Sequence, residues 1–250
     1  MTLLKEKDYG TPRIESDNNV TGYIDGIEIT VPEGTSIMRA AAMVGIDIPS
    51  LCASDNIDAF GSCRLCIVDF EGRKGFGYPS SCTTPLSNGM KVKTKNSHLK
   101  SLRKDLLEMY ISDHPLDCNT CSADGDCDLQ TQADDHNLLN NNQLVASKYD
   151  FKDGCTHLDA EVDASNPYFN FDPEKCIVCS KCVRACNEVQ GTFALSVDSR
   201  GFESTIKPGV SDNFFDSECV SCGACVQACP TGSLIEKSVA EKGMPNKTVL

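Results

Sequence analysis

The sequence predicts an α+β chain built from three cysteine-bearing parts. Three observations predict it. The first is a hairpin–helix–strand order near the N-terminus. The second is a helix followed by one histidine and three cysteines. The third is an eleven-residue pattern written twice, as CIVCSKCVRAC (Cys176–Cys186) and CVSCGACVQAC (Cys219–Cys229).

Sixteen cysteines among 250 residues would suggest disulfides in a small secreted protein. The opening MTLLKEKDYGTPRIESDNN is charged and has no apolar h-region, so no signal peptide is read there. No apolar run approaches the roughly 18 residues of a membrane span. The expectation is a cytoplasmic chain whose thiols stay reduced, where tight cysteine clusters mean metal. A net charge of −13 argues against nucleic acid, which needs a basic patch.

Residues 1–18 read as a flexible leader. VTGYIDGIEITVPEG reads as a hairpin around Asp25-Gly26, because a type I′ turn needs positive φ. In TSIMRAAAMVG, Thr35 or Ser36 caps a helix and Gly45 stops it. RLCIVDF and MKVKT read as two further strands, completing a domain over 19–96. HLKSLRKDLLEMYIS places Leu99, Leu102, Leu106 and Tyr110 on one helical face and stops before Asp113-His114-Pro115. This helix opens a second part, 97–135. A polar connector follows over 136–165. Residues 166–237 form the third part, with TFALSVDSRGFESTIKP as a hairpin between the repeats, and 238–250 is a tail without a closing element.

The repeat is C-x2-C-x2-C-x3-C, the run found in bacterial two-cluster ferredoxins, and Cys229 is followed by the expected Pro230 where Cys186 is followed by Asn187. Three cysteines on a tight loop hold three corners of a cubane, and each run donates its fourth cysteine to the other cluster. The expected sets are Cys176, Cys179, Cys182 and Cys229 for one [4Fe–4S] cluster, and Cys219, Cys222, Cys225 and Cys186 for the other. Cys52, Cys63, Cys66 and Cys82, spaced C-x10-C-x2-C-x15-C, resemble the plant-type [2Fe–2S] pattern with a longer first gap. His114, Cys118, Cys121 and Cys127 are the expected ligands of a third [4Fe–4S] cluster. The alternative for His114 is an ordinary structural histidine. Cys155 is left over and reads as a spare thiol, with a site formed with His157 as its alternative. A structural zinc protein is the non-redox alternative, although zinc favours separated cysteine pairs over triplets.

AFGSCRLC, YISDHPLDC, SNPYF, CIVCSKCVRACNEVQGTFAL, RGF and ECVSCGACVQACPTGSL are very similar to the α subunit of NAD-dependent, molybdenum- or tungsten-containing formate dehydrogenases. Across roughly residues 20–245 the chain also resembles the N-terminal part of the large iron–sulfur subunit of complex I. It resembles the diaphorase iron–sulfur subunit of NAD-reducing hydrogenases as well. The resemblance implies an N-terminal β-grasp [2Fe–2S] domain, a [4Fe–4S] segment with one histidine ligand and a 2[4Fe–4S] ferredoxin domain. It implies an electron relay between a flavin- and NAD-binding diaphorase partner and a molybdopterin-containing catalytic domain or subunit. Two departures stand out: a longer Cys66–Cys82 gap through GFGY, and an end at Leu250, before the molybdopterin part of those relatives. No hydrolytic triad, P-loop or G-x-G-x-x-G is present, so no active site is expected on this chain alone.

Overall fold

Asp25 and Gly26 turn the chain with φ of 49° and 87°, the left-handed pair that a tight hairpin requires. They join β1 (Asn19–Ile24) to β2 (Ile27–Pro32) in register Ile24↔Ile27. The computed structural model describes residues 7–71, 77–149 and 160–242. Its contacts divide the chain into two units, Met1–Leu106 and Leu107–Leu250.

In the first unit Ser36 caps α1 (Ile37–Met43), its side chain accepting from the Arg39 amide at 3.1 Å. The helix closes when the Ile46 and Gly45 amides return to the carbonyls of Ala41 and Ala42, with Gly45 at φ 80°. Ile37, Ala40 and Ala41 pack on Ile24, Val31 and Val92 of the sheet. That sheet has the order β2-β1-β4-β3, with β4 (Lys91–Lys93) parallel to β1 and antiparallel to β3 (Asp69–Phe70). β3 is shorter than RLCIVDF suggested, because Arg64 at φ 60° and the residues after it form a cysteine loop instead. Part of the expected leader is held down: the Thr11 hydroxyl meets Ser36 Oγ at 2.7 Å and the Tyr9 amide donates to Asp55.

The boundary between the units falls inside α2 (Ser97–Ser112) rather than ahead of it. Asn96 caps this helix through its side-chain oxygen, which accepts from the Leu99 amide at 2.7 Å. The buried stripe is Leu99, Arg103, Leu107 and Ile111; Leu102, Leu106 and Tyr110 are only half-buried. Of the expected face, Leu99 alone holds its place, and a charged residue occupies the next buried position.

The second unit continues with α3 (Asp128–Asp135) and a hairpin, β5 (Leu139–Asn140) and β6 (Gln143–Leu144). This hairpin lies in the stretch expected to be an irregular connector. It forms because Asn141 and Asn142 both accept positive φ, 49° and 62°. β7 (Phe169–Phe171) pairs with β10 (Leu234–Glu236), and β8 (Ser196–Asp198) with β9 (Thr205–Lys207) as the hairpin expected between the repeats. Phe214 stacks edge-on against Phe169 at 5.0 Å and Phe171 at 6.0 Å, forming the aromatic centre of this core. Each repeat runs into a short helix, α4 (Lys181–Arg184) and α5 (Ala224–Ala228). Pro230 follows α5, whereas Asn187 lets the chain after α4 continue through a wider π-turn over Ala185–Gln190 that carries Cys186. α6 (Lys237–Lys242) begins the segment expected to lack a closing element. Cys155, His157 and the first two residues of the GFGY stretch, Gly75 and Phe76, lie outside the described residues.

Candidate metal centres

In the first unit the four cysteines stand as two pairs. Cys66 Sγ and Cys82 Sγ are 3.4 Å apart. The Cys63 amide donates to Cys52 Sγ and the Leu51 amide to Cys63 Sγ, each at 3.4 Å. All four are buried. The thiol–thiol hydrogen bond within each pair lowers the pKa of Cys52 and of Cys66. Their partners are pushed up, because their protons are held in the same bonds. The pairing therefore already favours one thiolate in each pair. Small residues in FGSCRLC let the backbone come this close to sulfur.

In the second unit His114, Cys118, Cys121 and Cys127 line one cavity. His114 stands just beyond α2, where Pro115 ends the helix. Its Nδ1 lies 2.9 Å from the Pro115 carbonyl, which fixes the Nδ1–H tautomer. Nε2 is left with its lone pair, buried and without a hydrogen-bond partner. Burial lowers the imidazole pKa, so the neutral form is favoured. A buried imidazole lone pair facing three thiols is the donor set that a metal needs. Cys127 sits at the start of α3, whose Asp128 amide donates to the Pro230 carbonyl at 2.9 Å. Gly232 makes room beside it: a Cβ there would come within 2.9 Å of Ala123 Cβ and 3.4 Å of Cys121 Sγ.

The two repeats adopt the same loop. Val178 and Ser180 have φ of 50° and 62°; Ser221 and Gly223, the equivalent positions, have 55° and 80°. The Val178 amide donates to Cys176 Sγ and the Ser221 amide to Cys219 Sγ, both at 3.4 Å. A β-branched Val at positive φ is strained, and such strain gathers at functional loops. Cys176, Cys179 and Cys182 line one cavity together with Cys229. Cys219, Cys222 and Cys225 line another together with Cys186, whose sulfur accepts from the Ala194 amide at 3.3 Å. Asn166 Nδ2 adds a longer contact of 3.8 Å to Cys219 Sγ. Burial raises these thiols: Cys176 to about 11, Cys179, Cys225 and Cys127 each to about 12.

Among the described residues, no three histidine, cysteine or carboxylate side chains form a group that could hold a single metal ion. The cysteine sets of the second unit instead line three small cavities, and that donor chemistry fits a multi-iron group. Sequence reading overlooked two charged residues next to the sets. Lys175, just before Cys176, pairs with Asp172 at 2.9 Å and lies 3.8 Å from Asp117. Arg103 donates to the carbonyls of Leu65 and Ile67 on either side of Cys66. Neither belongs to a recognisable motif; a charged residue at a helical core position was the only available signal for Arg103.

Three family models match in succession. A 2Fe-2S iron-sulfur cluster binding domain covers 17–97, an NADH-ubiquinone oxidoreductase-G iron-sulfur binding region covers 103–141, and a 4Fe-4S dicluster domain covers 150–233. The NADP-reducing hydrogenase subunit HndD of Solidesulfovibrio fructosivorans is 39% identical over 223 residues, covering 87% of this chain and 36% of the relative. The NADPH-Fe(3+) oxidoreductase subunit alpha of Geobacter sulfurreducens is also 39% identical over 223 residues, covering 89% and 24%. The chain thus spans little more than a third of the length of these curated relatives, or less. A chain in the crystal structure of NAD+-reducing [NiFe]-hydrogenase in the H2-reduced state is 32% identical, with a TM-score of 0.78 and 90% of both chains covered. No helix among the described residues is long and apolar enough to cross a membrane.

Gly232→Ala tests the fit of the histidine cavity. The added methyl group is expected to push against Ala123, shifting the loop that carries Cys121, and to lower bound iron. Iron and sulfide assay of the purified variant checks this; unchanged content would show that the cavity tolerates the methyl group.

Proposed function

The chain belongs to the iron–sulfur electron-transfer family that includes NADH-ubiquinone oxidoreductase-G and the NADP-reducing hydrogenase subunit, and on that premise we propose that it relays electrons between a flavin- and NAD-binding partner and a substrate-oxidising metal centre. The observation that carries this reading is the crossed arrangement in the second unit. Each repeat contributes three cysteines to one cavity and its fourth to the other. Such sharing ties two redox groups to one rigid core.

Cys52, Cys63, Cys66 and Cys82 would hold a [2Fe–2S] cluster. His114, Cys118, Cys121 and Cys127 would hold a [4Fe–4S] cluster, and the two crossed sets would hold one [4Fe–4S] cluster each. A bound iron–sulfur cluster supplies a one-electron carrier. The protein's own work is to hold and tune it. The amides of Val178, Ser221, Ala194, Leu51 and Cys63 donate to ligand sulfurs and so favour the more negative state. His114 replaces one thiolate with a neutral donor, leaving its site one negative charge lighter. Its Nδ1–H, held by the Pro115 carbonyl, fixes the ring in the ligating orientation.

For the metal-centre partner, the quoted segments favour a molybdopterin-containing formate dehydrogenase. A second reading, the diaphorase subunit of an NAD-reducing hydrogenase, is favoured by the match over 90% of the [NiFe]-hydrogenase chain. Under either reading the expected location is the cytoplasm, where thiols stay reduced before metal loading.

Ligand crossing is testable by substitution. Cys186→Ala is expected to perturb the signal of the Cys219, Cys222 and Cys225 set, and Cys229→Ala that of the Cys176, Cys179 and Cys182 set. His114→Ala should lose or convert only the third [4Fe–4S] signal. Electron paramagnetic resonance of the reduced variants checks all three; damage confined to each cysteine's own repeat would refute the crossing.

Partner dependence is tested by assay. The reconstituted chain alone should accept electrons from dithionite, yet form no NADH from formate or from hydrogen. Adding a flavin partner and a molybdopterin partner should restore formate-dependent NADH. Restoration by a hydrogenase partner instead would favour the second reading.

A further inference from the structure

Arg103 occupies a position that a helix normally gives to an apolar residue. It follows Leu99 and precedes Leu107 on the buried stripe of α2, and it is 5% exposed. Its Nε donates to the Leu65 carbonyl at 3.0 Å and its Nη2 to the Ile67 carbonyl at 2.7 Å. These carbonyls bracket Cys66, which is fully buried and lies 3.4 Å from Cys82 Sγ to Sγ. One planar guanidinium therefore clasps the C-x2-C loop at both sides of a sulfur.

A buried cation is costly unless an anion answers it. Among the described residues Arg103 has no carboxylate ion-pair partner. The carboxylate that bears on it, Asp25, is already engaged by the Thr94 amide and hydroxyl. Burial lowers the pKa of Arg103, and the main opposing influence is Cys66. The natural counter-charge is therefore the thiolate set itself.

We propose that Arg103 is a positioning and charge-compensating residue for the set formed by Cys52, Cys63, Cys66 and Cys82, and that it raises the reduction potential of the [2Fe–2S] group held there. The proposal rests on the ligand reading given above. Reduction by dithionite adds one electron to the four-thiolate group with no atom gained or lost, so the group becomes one charge more negative. A fixed positive charge stabilises that product more than the oxidised form. The guanidinium stays charged throughout, because it is not deprotonated in proteins. Its planar fork presents two donor nitrogens at a fixed separation to the two carbonyls, whereas a lysine offers a single nitrogen on a flexible stem.

The test is a potentiometric titration of the full, metal-loaded chain, followed by electron paramagnetic resonance, for wild type, Arg103→Gln and Arg103→Lys. Arg103→Gln is expected to weaken reduction of the [2Fe–2S] signal at least tenfold, about 59 mV more negative for a one-electron couple. The other signals should stay in place. Arg103→Lys, which restores the charge without the double clasp, should recover more than half of the shift. An Arg103→Gln signal at the wild-type potential would overturn the proposal. If Arg103→Gln loses the signal altogether, Arg103→Lys decides. A signal kept near the wild-type potential supports charge compensation, and a signal lost there too shows a purely structural clasp and overturns it. A wild-type chain with no [2Fe–2S] signal would instead bring down the ligand reading beneath the proposal.

Discussion

The second unit depends on one constraint: burial among apolar neighbours holds several of its thiols, Cys127, Cys176, Cys179, Cys182 and Cys225, in the protonated form. Burial pushes Cys127, Cys179 and Cys225 up to about 12 and Cys182 well above its ordinary value. The neighbouring sulfurs of each repeat set oppose one another's ionisation further. A metal bound among these raised thiols would displace their protons, and such binding would be coupled to folding. The short helices, the left-handed residues and the phenylalanine centre all serve to bring sulfurs to the edge of a cavity. Cys182, Cys186 and Cys225 are themselves members of the hydrophobic core.

The first unit answers the same constraint differently. Its sulfurs are paired, and each pair shares hydrogen bonds that favour one thiolate. The mixed sheet and α1 supply a core of their own, formed by Ile24, Val31, Ile37 and Leu86 among others. The cysteine loop is then laid across the helix, where Met38 packs with Cys66 and Cys82. A buried guanidinium beside Cys66 fits a site in which negative charge must be held in an apolar setting.

Much of this was legible because it follows from local chemistry. Asp25-Gly26 and the Ser36-to-Gly45 helix use signals that leave few conformational choices, and both elements stand where expected. The repeat spacing told of two related loops, and the structure brings the same left-handed positions to both. Arg103 was hard to read, since its only signal, a charged residue at a helical core position, counts in periodicity arguments as a break in an apolar face. The buried stripe runs through Leu99, Leu107 and Ile111, offset from Leu102, Leu106 and Tyr110, with the Arg103 guanidinium on it meeting two carbonyls. The Asn141-Asn142 hairpin was lost in a polar stretch, where asparagine reads as loop although it tolerates the turn. The Lys175–Asp172 pair is local, three residues apart, and the π-turn at Cys186 follows from Asn187 standing where the second repeat has Pro230, but neither belongs to a pattern that periodicity or motif reading registers.

The claim on which the account turns is that these sixteen ligands serve iron–sulfur groups of two kinds. Quantifying iron and acid-labile sulfide in anaerobically reconstituted protein, with zinc measured on the same sample, tests it most directly. One [2Fe–2S] and three [4Fe–4S] groups require about 14 irons per chain with equal sulfide and little zinc. Substantial zinc with little iron or sulfide would contradict the account.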